Sequence, residues 1–240
     1  MQFALDRVLS VAGTDAIDGK VMFLADQIVD PSLSFTSETE DIVDAMNNVV
    51  MVLENGRGAT FSASNAFFNT QILAAQVGGE VETGATEITK YDIVKLGADG
   101  KGELSATAKG TGAKVYKLAN DGSLTTAEAI DGTIAEGAVT VAGAVEGDKV
   151  LVVYTAEVTA AEKISAFADA KNKLMNVTAE VLLKELCNEE LYYAYIIMKG
   201  KLSGEAEWSM TRDGNHPFEI RCFPEYCGDK KLVDVIIVKG

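Results

Sequence analysis

Leu191-Tyr-Tyr-Ala-Tyr-Ile-Ile-Met198 decides the fold class of this chain. Aromatic and β-branched residues crowd it, and these side chains fit a pleated, half-buried surface. On its N-terminal side, Val177, Ala179, Val181 and Leu183 alternate with Thr178, Glu180 and Lys184, the two-residue period of a strand with one buried face. The Leu, Glu and Lys content of 178–190 also suits a helix, so both readings stand there. On the C-terminal side, Ala206, Trp208 and Met210 alternate with Glu205, Glu207, Ser209 and Thr211. Asp213-Gly-Asn215 then turns the chain, Phe218, Ile220 and Cys222 return, and the apolar run Leu232–Val238 closes it. The last third therefore reads as an antiparallel hairpin plus a terminal strand.

The pattern continues toward the N-terminus. Val21-Met-Phe-Leu-Ala25 and Val49-Val-Met-Val-Leu53 are short apolar runs bounded by polar residues or Gly, and Ala59–Ala63 alternates as a half-exposed strand. Asn55-Gly56 and Gly58 supply turn chemistry between them. Ser64-Asn65 resembles a helix cap and Gly78-Gly79 a stop, which predicts one amphipathic helix over about 65–77 with Phe67, Phe68, Ile72 and Leu73 against a sheet. Residues 80–155 read as short strands between Gly turns, with Asp-Gly at 99–100, 121–122 and 131–132 and Gly147-Asp148 beyond. The Asp-Gly spacing is irregular, which favours hairpin turns over a calcium-binding repeat. Val139, Val141 and Val150–Tyr154 fit two strands about a turn at 146–148, and 156–172 fits either a strand or a helix.

At 240 residues with 48% apolar composition, the chain has enough apolar surface for a real core, as one large all-β domain or two small ones. Its net charge of −15 argues against a large basic nucleic-acid-binding face. Three cysteines, Cys187, Cys222 and Cys227, make no disulfide framework, and Cys222-x4-Cys227 lacks a second Cys or His pair for a metal. The first residues lack the basic and apolar regions of a signal peptide, and no stretch approaches a membrane span, which predicts folding in a cytoplasm. His216, the one histidine, sits beside Pro217 and reads as a loop residue. No H-E-x-x-H, P-loop or G-x-G-x-x-G occurs, and no positioned nucleophile is visible. The sequon Asn176-Val-Thr178 would go unused in a cytoplasm. The expectation is a protein that is not an enzyme, with no catalytic residues, metal or cofactor.

One asymmetry stands out. Between Val21 and Gly56 lie Asp26, Asp30, Glu38, Glu40, Asp41, Asp44 and Glu54, with no Lys or Arg before Arg57. Clustered carboxylates can in principle hold a divalent cation, but the loop spacing of a calcium site is missing, and such clusters are usually solvated.

The order of segments carries a resemblance. Glu38-x-Glu40-Asp41 leads into strands, then Gly58-Ala-Thr-Phe-Ser-Ala-Ser-Asn-Ala66 and a short helix ending Ala74-Ala-Gln-Val-Gly-Gly79. Gly137-Ala-Val-Thr-Val141 and Gly147-Asp-x-Val-x-Val-x-Tyr154 follow, and the C-terminus has Trp208-x4-Asp213-Gly-Asn-x3-Glu219-Ile. From about Leu33 to Val238 the chain resembles the major tail tube proteins of long-tailed bacteriophages, siphovirus-like or myovirus-like. The resemblance implies a mainly β protomer over 1–240, a single antiparallel β-barrel or β-sandwich with one flanking α-helix, a hairpin-rich region at 80–135 and a long early loop or hairpin. That loop, placed at 33–60 with Thr36–Asn48 as its likeliest extent, would reach an adjacent ring.

The resemblance further implies hexameric rings stacked into a tube, assembled in the host bacterial cytoplasm and located in the virion tail. Tape-measure, terminator and baseplate or tip proteins would be partners, with no membrane involved. Double-stranded DNA would pass without specific binding. A wall without Lys and Arg removes the main source of non-specific DNA affinity, and carboxylates repel phosphates within a Debye length of ~8–10 Å. An acidic lumen follows, with Asp26 and Asp30 as wall candidates. Glu38, Glu40, Asp41 and Asp44 are candidates for contact with a neighbouring subunit. The competing readings are a capsid decoration protein, the related tube of a contractile injection machine, and a carbohydrate-binding β-sandwich using Trp208, Tyr192, Tyr193 and Tyr195. Strand alternation places at least half of those aromatics in the core.

Overall fold

The computed structural model describes residues 2–187, 190–205, 214–224 and 229–238. It is mainly β, with antiparallel sheets and a single short helix among the described residues. The chain divides into two compact units, Met1–Val81 with Ile164–Gly240, and Glu82–Lys163. The hairpin-rich stretch expected at 80–135 falls almost wholly within the second.

In chain order the elements are β1 (Phe3–Asp15), β2 (Val21–Ala25), β3 (Ile28–Val43), β4 (Val49–Asn65), α1 (Thr70–Gln76) and β5 (Val81–Lys95). Then come β6 (Lys101–Glu103), β7 (Gly112–Leu118), β8 (Ile130–Ala135), β9 (Ala138–Thr140) and β10 (Lys149–Ile164). The last are β11 (Met175–Glu185), β12 (Leu191–Leu202), β13 (His216–Cys222) and β14 (Val233–Ile237).

The first unit is built on a sheet ordered β2-β1-β11-β12-β13-β4-β3, with β14 also on β12. One edge of β12 serves two partners in turn, β14 along Ala194–Met198 and β13 along Gly200–Leu202. The alternation of Val177, Ala179 and Val181 resolves as β11, a strand rather than a helix, because it is paired on both sides by β1 and β12. One face of the sheet carries Val11, Phe23, Phe61, Val177, Met198 and Ile220, and Ile72 of α1 packs into it. Phe218 meets Phe23 and Phe61 at ring centroid distances of 6.0 and 6.3 Å. Truncating a ring as buried as Phe23 costs about 3–5 kcal/mol, so these aromatics dominate the core.

The helix is shorter than the sequence pattern predicts. Asn69 caps it, accepting hydrogen bonds from the Gln71 and Ile72 backbone N–H groups at 2.9 and 3.1 Å. Residue 65 is unavailable for helix, because Asn65 pairs with both Ile28 and His216 in the sheet. Ile72 is buried as expected, whereas Phe67 and Phe68 lie in the connection and are exposed.

The second unit has its own sheet, β5-β10-β7-β8-β9-β6, and its own core around Leu96, Val115, Val139, Val150 and Val152. The ambiguous 156–172 is strand up to Ile164, as the end of β10. Gly100, Gly122 and Gly147 turn the chain with φ of 70°, 86° and 90°. The expected turn at Asp131-Gly132 is instead the interior of β8. Gly132 is there for space: a Cβ would stand 2.7 Å from Val115 Cγ2 and 3.0 Å from Val139 Cγ2. The strand expected around Trp208, and Cys227, lie outside the described residues.

Candidate functional site

The early loop expected at Thr36–Asn48 is a hairpin arm. β3 and β4 pair from Ile28↔Asn65 out to Val43↔Val49, so Thr36–Val43 is strand and only 44–48 turns. The turn chemistry is local. Asp44 accepts hydrogen bonds from Met46 N (2.8 Å), Asn48 N (2.9 Å) and Asn48 Nδ2 (3.2 Å), and Asn47 takes the left-handed φ of 65° that Asn tolerates. The Asn48 backbone N–H, then its side chain, hold the Asp44 carboxyl below its ordinary range. Asn55-Gly56, expected as a turn, instead lies inside β4. A register shift there sets Glu38 opposite Gly56 but Thr39 opposite Glu54, which makes a β-bulge.

The base of the arm belongs to the core. Phe61 and Ala59 are buried on β4, and Leu33 packs against the same cluster. Beyond them the burial ends. Phe35, Ile42, Val43, Met46 and the whole run Val49–Leu53 are exposed, with Val50 at 67%. Five consecutive apolar residues in one strand put apolar groups on both faces. Soluble monomers rarely display contiguous apolar patches of this kind, and a two-stranded ribbon without a covering layer is marginal in water. The sequence marks this run as a strand. Its signal for exposure is the lack of alternation beside an acidic partner strand.

Glu38, Glu40 and Asp41 stand on the arm's β3 strand and Asp44 in its turn, all exposed. Arg57 reaches Glu54 at 3.4 Å, an exposed pair of little energetic weight. Asp26 is exposed in the short link between β2 and β3. Asp30 is in β3 at a bulge, where Val29 pairs with Ser64 and Ser32 with Ser62, and it takes a left-handed φ of 50°. It borders an open groove shared with Ser62, Ser64, Glu205 and Glu219. Asp26 and Asp30 thus lie at the root of the hairpin, and the other five acids, Glu54 of β4 among them, lie along its length and in its turn.

His216 is not a loop residue. It opens β13, is 1% exposed, and burial pushes its imidazole below the ordinary histidine value. Asn69 N–H donates to its Nδ1 at 3.3 Å, so Nε2 carries the proton and donates to Gln76 Oε1 at 2.9 Å. Gln76 Nε2 in turn donates to Pro217 O, and Asn69 Nδ2 donates to Leu24 O. The imidazole, with Phe68 stacked on it, ties α1 to the sheet. The tyrosines of β12 divide between its two faces. Ala194 and Met198 take the core face, while Tyr193 and Tyr195 alternate onto the other one and Tyr192 packs edge-on to Phe3. Among the described residues, no group of three or more His, Cys, Asp or Glu is placed to hold a metal ion, and no helix is long and apolar enough to cross a membrane.

The exposed apolar hairpin arm is the feature of this chain that its own described core leaves uncovered. Comparison with family models identifies the group. The YomU/Tube protein family matches residues 3–232. The chain belongs to that family. The family name points to a structural tube protein of phage. No curated protein matches the chain.

Proposed function

We propose that this family member is a virion structural protein that closes into hexameric rings and stacks them into a phage tail tube, an acidic channel through which DNA passes into the host. The observation that carries the reading is the arm: an exposed apolar strand, Val49–Leu53, on a hairpin that a second protein surface would cover. β2 and β3 end the larger sheet among the described residues, and sheet edges are where a neighbouring chain can add backbone hydrogen bonds. Lateral contacts of this heterologous kind close into rings, and axial ones propagate into filaments.

In this reading the protein is not an enzyme and needs no cofactor. It is assembled in the bacterial cytoplasm and resides in the virion tail without a membrane. Its partners are its own copies, the tape-measure and terminator proteins and the baseplate or tip. Asp26 and Asp30 face the channel and repel DNA, while Glu38, Glu40, Asp41 and Asp44 meet a neighbouring subunit. Sedimentation velocity of the purified chain tests the reading. Ring-sized or larger species that grow with concentration support it. A discrete trimer or pentamer favours a capsid decoration protein, and a monomer at all concentrations overturns the reading.

A further inference from the structure

The solvent face of the larger sheet is polarised along β12. At one end Tyr193, Tyr195 and Ile197 alternate outward, opposed by Val238 just past β14 and by Ile236 and Asp234 of β14. At the other end stand Lys199 and Lys201, with Arg221 of β13 directly opposite Lys201. Like charges facing each other across adjacent strands are destabilising unless an anion lies over them. Arg221 also lies 3.6 Å from Glu219 on its own strand. This basic end sits in a protein of net charge −15.

One face of the arm has the complementary polarity. Strand alternation puts Glu38, Glu40 and Ile42 on the same side, and the register adds Leu53 opposite Glu40 and Met51 opposite Ile42. Carboxylates thus occupy the half of that face nearer the body, and apolar side chains the half nearer the tip. The arm from Phe35 to Val43 and the strip from Tyr193 to Lys201 have equal residue counts, so each spans about 30 Å at ~3.3 Å per residue.

We propose that the arm of one copy docks on this solvent face of a second copy, its tip over Tyr193–Ile197 and its acids over Lys199, Lys201 and Arg221. The proposal rests on the tube reading and names the surface each arm covers. The docked arm would bury Ile42, Met51 and Leu53 and set carboxylates beside Lys201 and Arg221. That would also keep the lysines from presenting a phosphate-binding patch to passing DNA.

Charge reversal tests it. Glu38→Lys with Glu40→Lys, or Lys201→Glu with Arg221→Glu, should each raise the concentration needed for assembly at least tenfold. Mixing the two variants, or combining all four changes, should restore it to within about threefold of the wild type. Failure of both combinations to restore assembly overturns the docking.

A cross-link keeps the test decisive if a reversed chain misfolds. In a Cys187→Ser background, Ile42→Cys and Ile197→Cys chains are mixed under oxidising conditions. A disulfide between the two chains supports the docking. Assembled particles with no such bond, nor one between Ile42→Cys and Tyr195→Cys chains, overturn it and leave the tube reading standing. A wild-type chain that never assembles refutes the tube reading, and the docking with it.

Discussion

Replacing Val50, Met51 and Val52 together by Ser separates an arm that packs within its own chain from one that awaits a partner. All three are more than half exposed, at 67%, 55% and 54%. Full burial of such a side chain is worth about 1.5–3 kcal/mol, so covering the exposed half would contribute roughly 1 kcal/mol each. The triple variant then weakens each intermolecular contact by about 3 kcal/mol, a shift of roughly a hundredfold in the concentration at which assembly begins. In the isolated chain the same changes touch solvent, where surface substitutions stay within about 0.5 kcal/mol apiece. Sedimentation across a dilution series reads the assembly threshold, and thermal unfolding of the dilute monomer reads stability. An unchanged threshold would show that the run is not a contact surface. A monomer that loses several kcal/mol would show that the run is already buried within the chain.

Three further outcomes follow from the packing. Gly132→Ala should destabilise the second unit by about 1–3 kcal/mol, measured by urea denaturation, because its Cβ would press on Val115 and Val139. Asn69→Ala should cost about 1–2 kcal/mol through the lost helix cap, with faster amide exchange at Gln71 and Ile72. His216 gives a pH dependence of known sign. Burial lowers its folded pKa below the unfolded value of 6.5, so the neutral, Gln76-bonded form supplies stability that is present above that value. That stability is lost as pH falls from about 6.5 through the folded pKa, and His216→Gln should flatten this part of the pH–stability curve.

Much of the fold was legible where one face of a strand is buried. Val177–Leu183 and Phe218–Cys222 alternate because a core lies on one side only, and both are strands. Alternation was silent where both faces share an environment, so Val49–Leu53 read as a strand without disclosing that it stands in water. Local turn chemistry misled at Asn55-Gly56 and Asp131-Gly132. At the first a bulge, and at the second the close approach of two valines, makes the demand on the backbone that a turn would otherwise make. The helix start was misread at Asn65 because cap chemistry recurs four residues later at Asn69, and only sheet pairing decides between them. His216 looked like a loop residue for want of its partners, Gln76 and Asn69, which lie far away in sequence and meet it only through tertiary packing. For the acidic stretch, sequence located the charges, and the register of the hairpin separated those at its root, Asp26 and Asp30, from those along the arm.

End-on class averages of negatively stained protein test the central claim most directly. The account predicts hollow rings of hexameric symmetry that stack into tubes in side view. A population of compact, unassociated particles with no central hole, under conditions where the chain is folded, would contradict it.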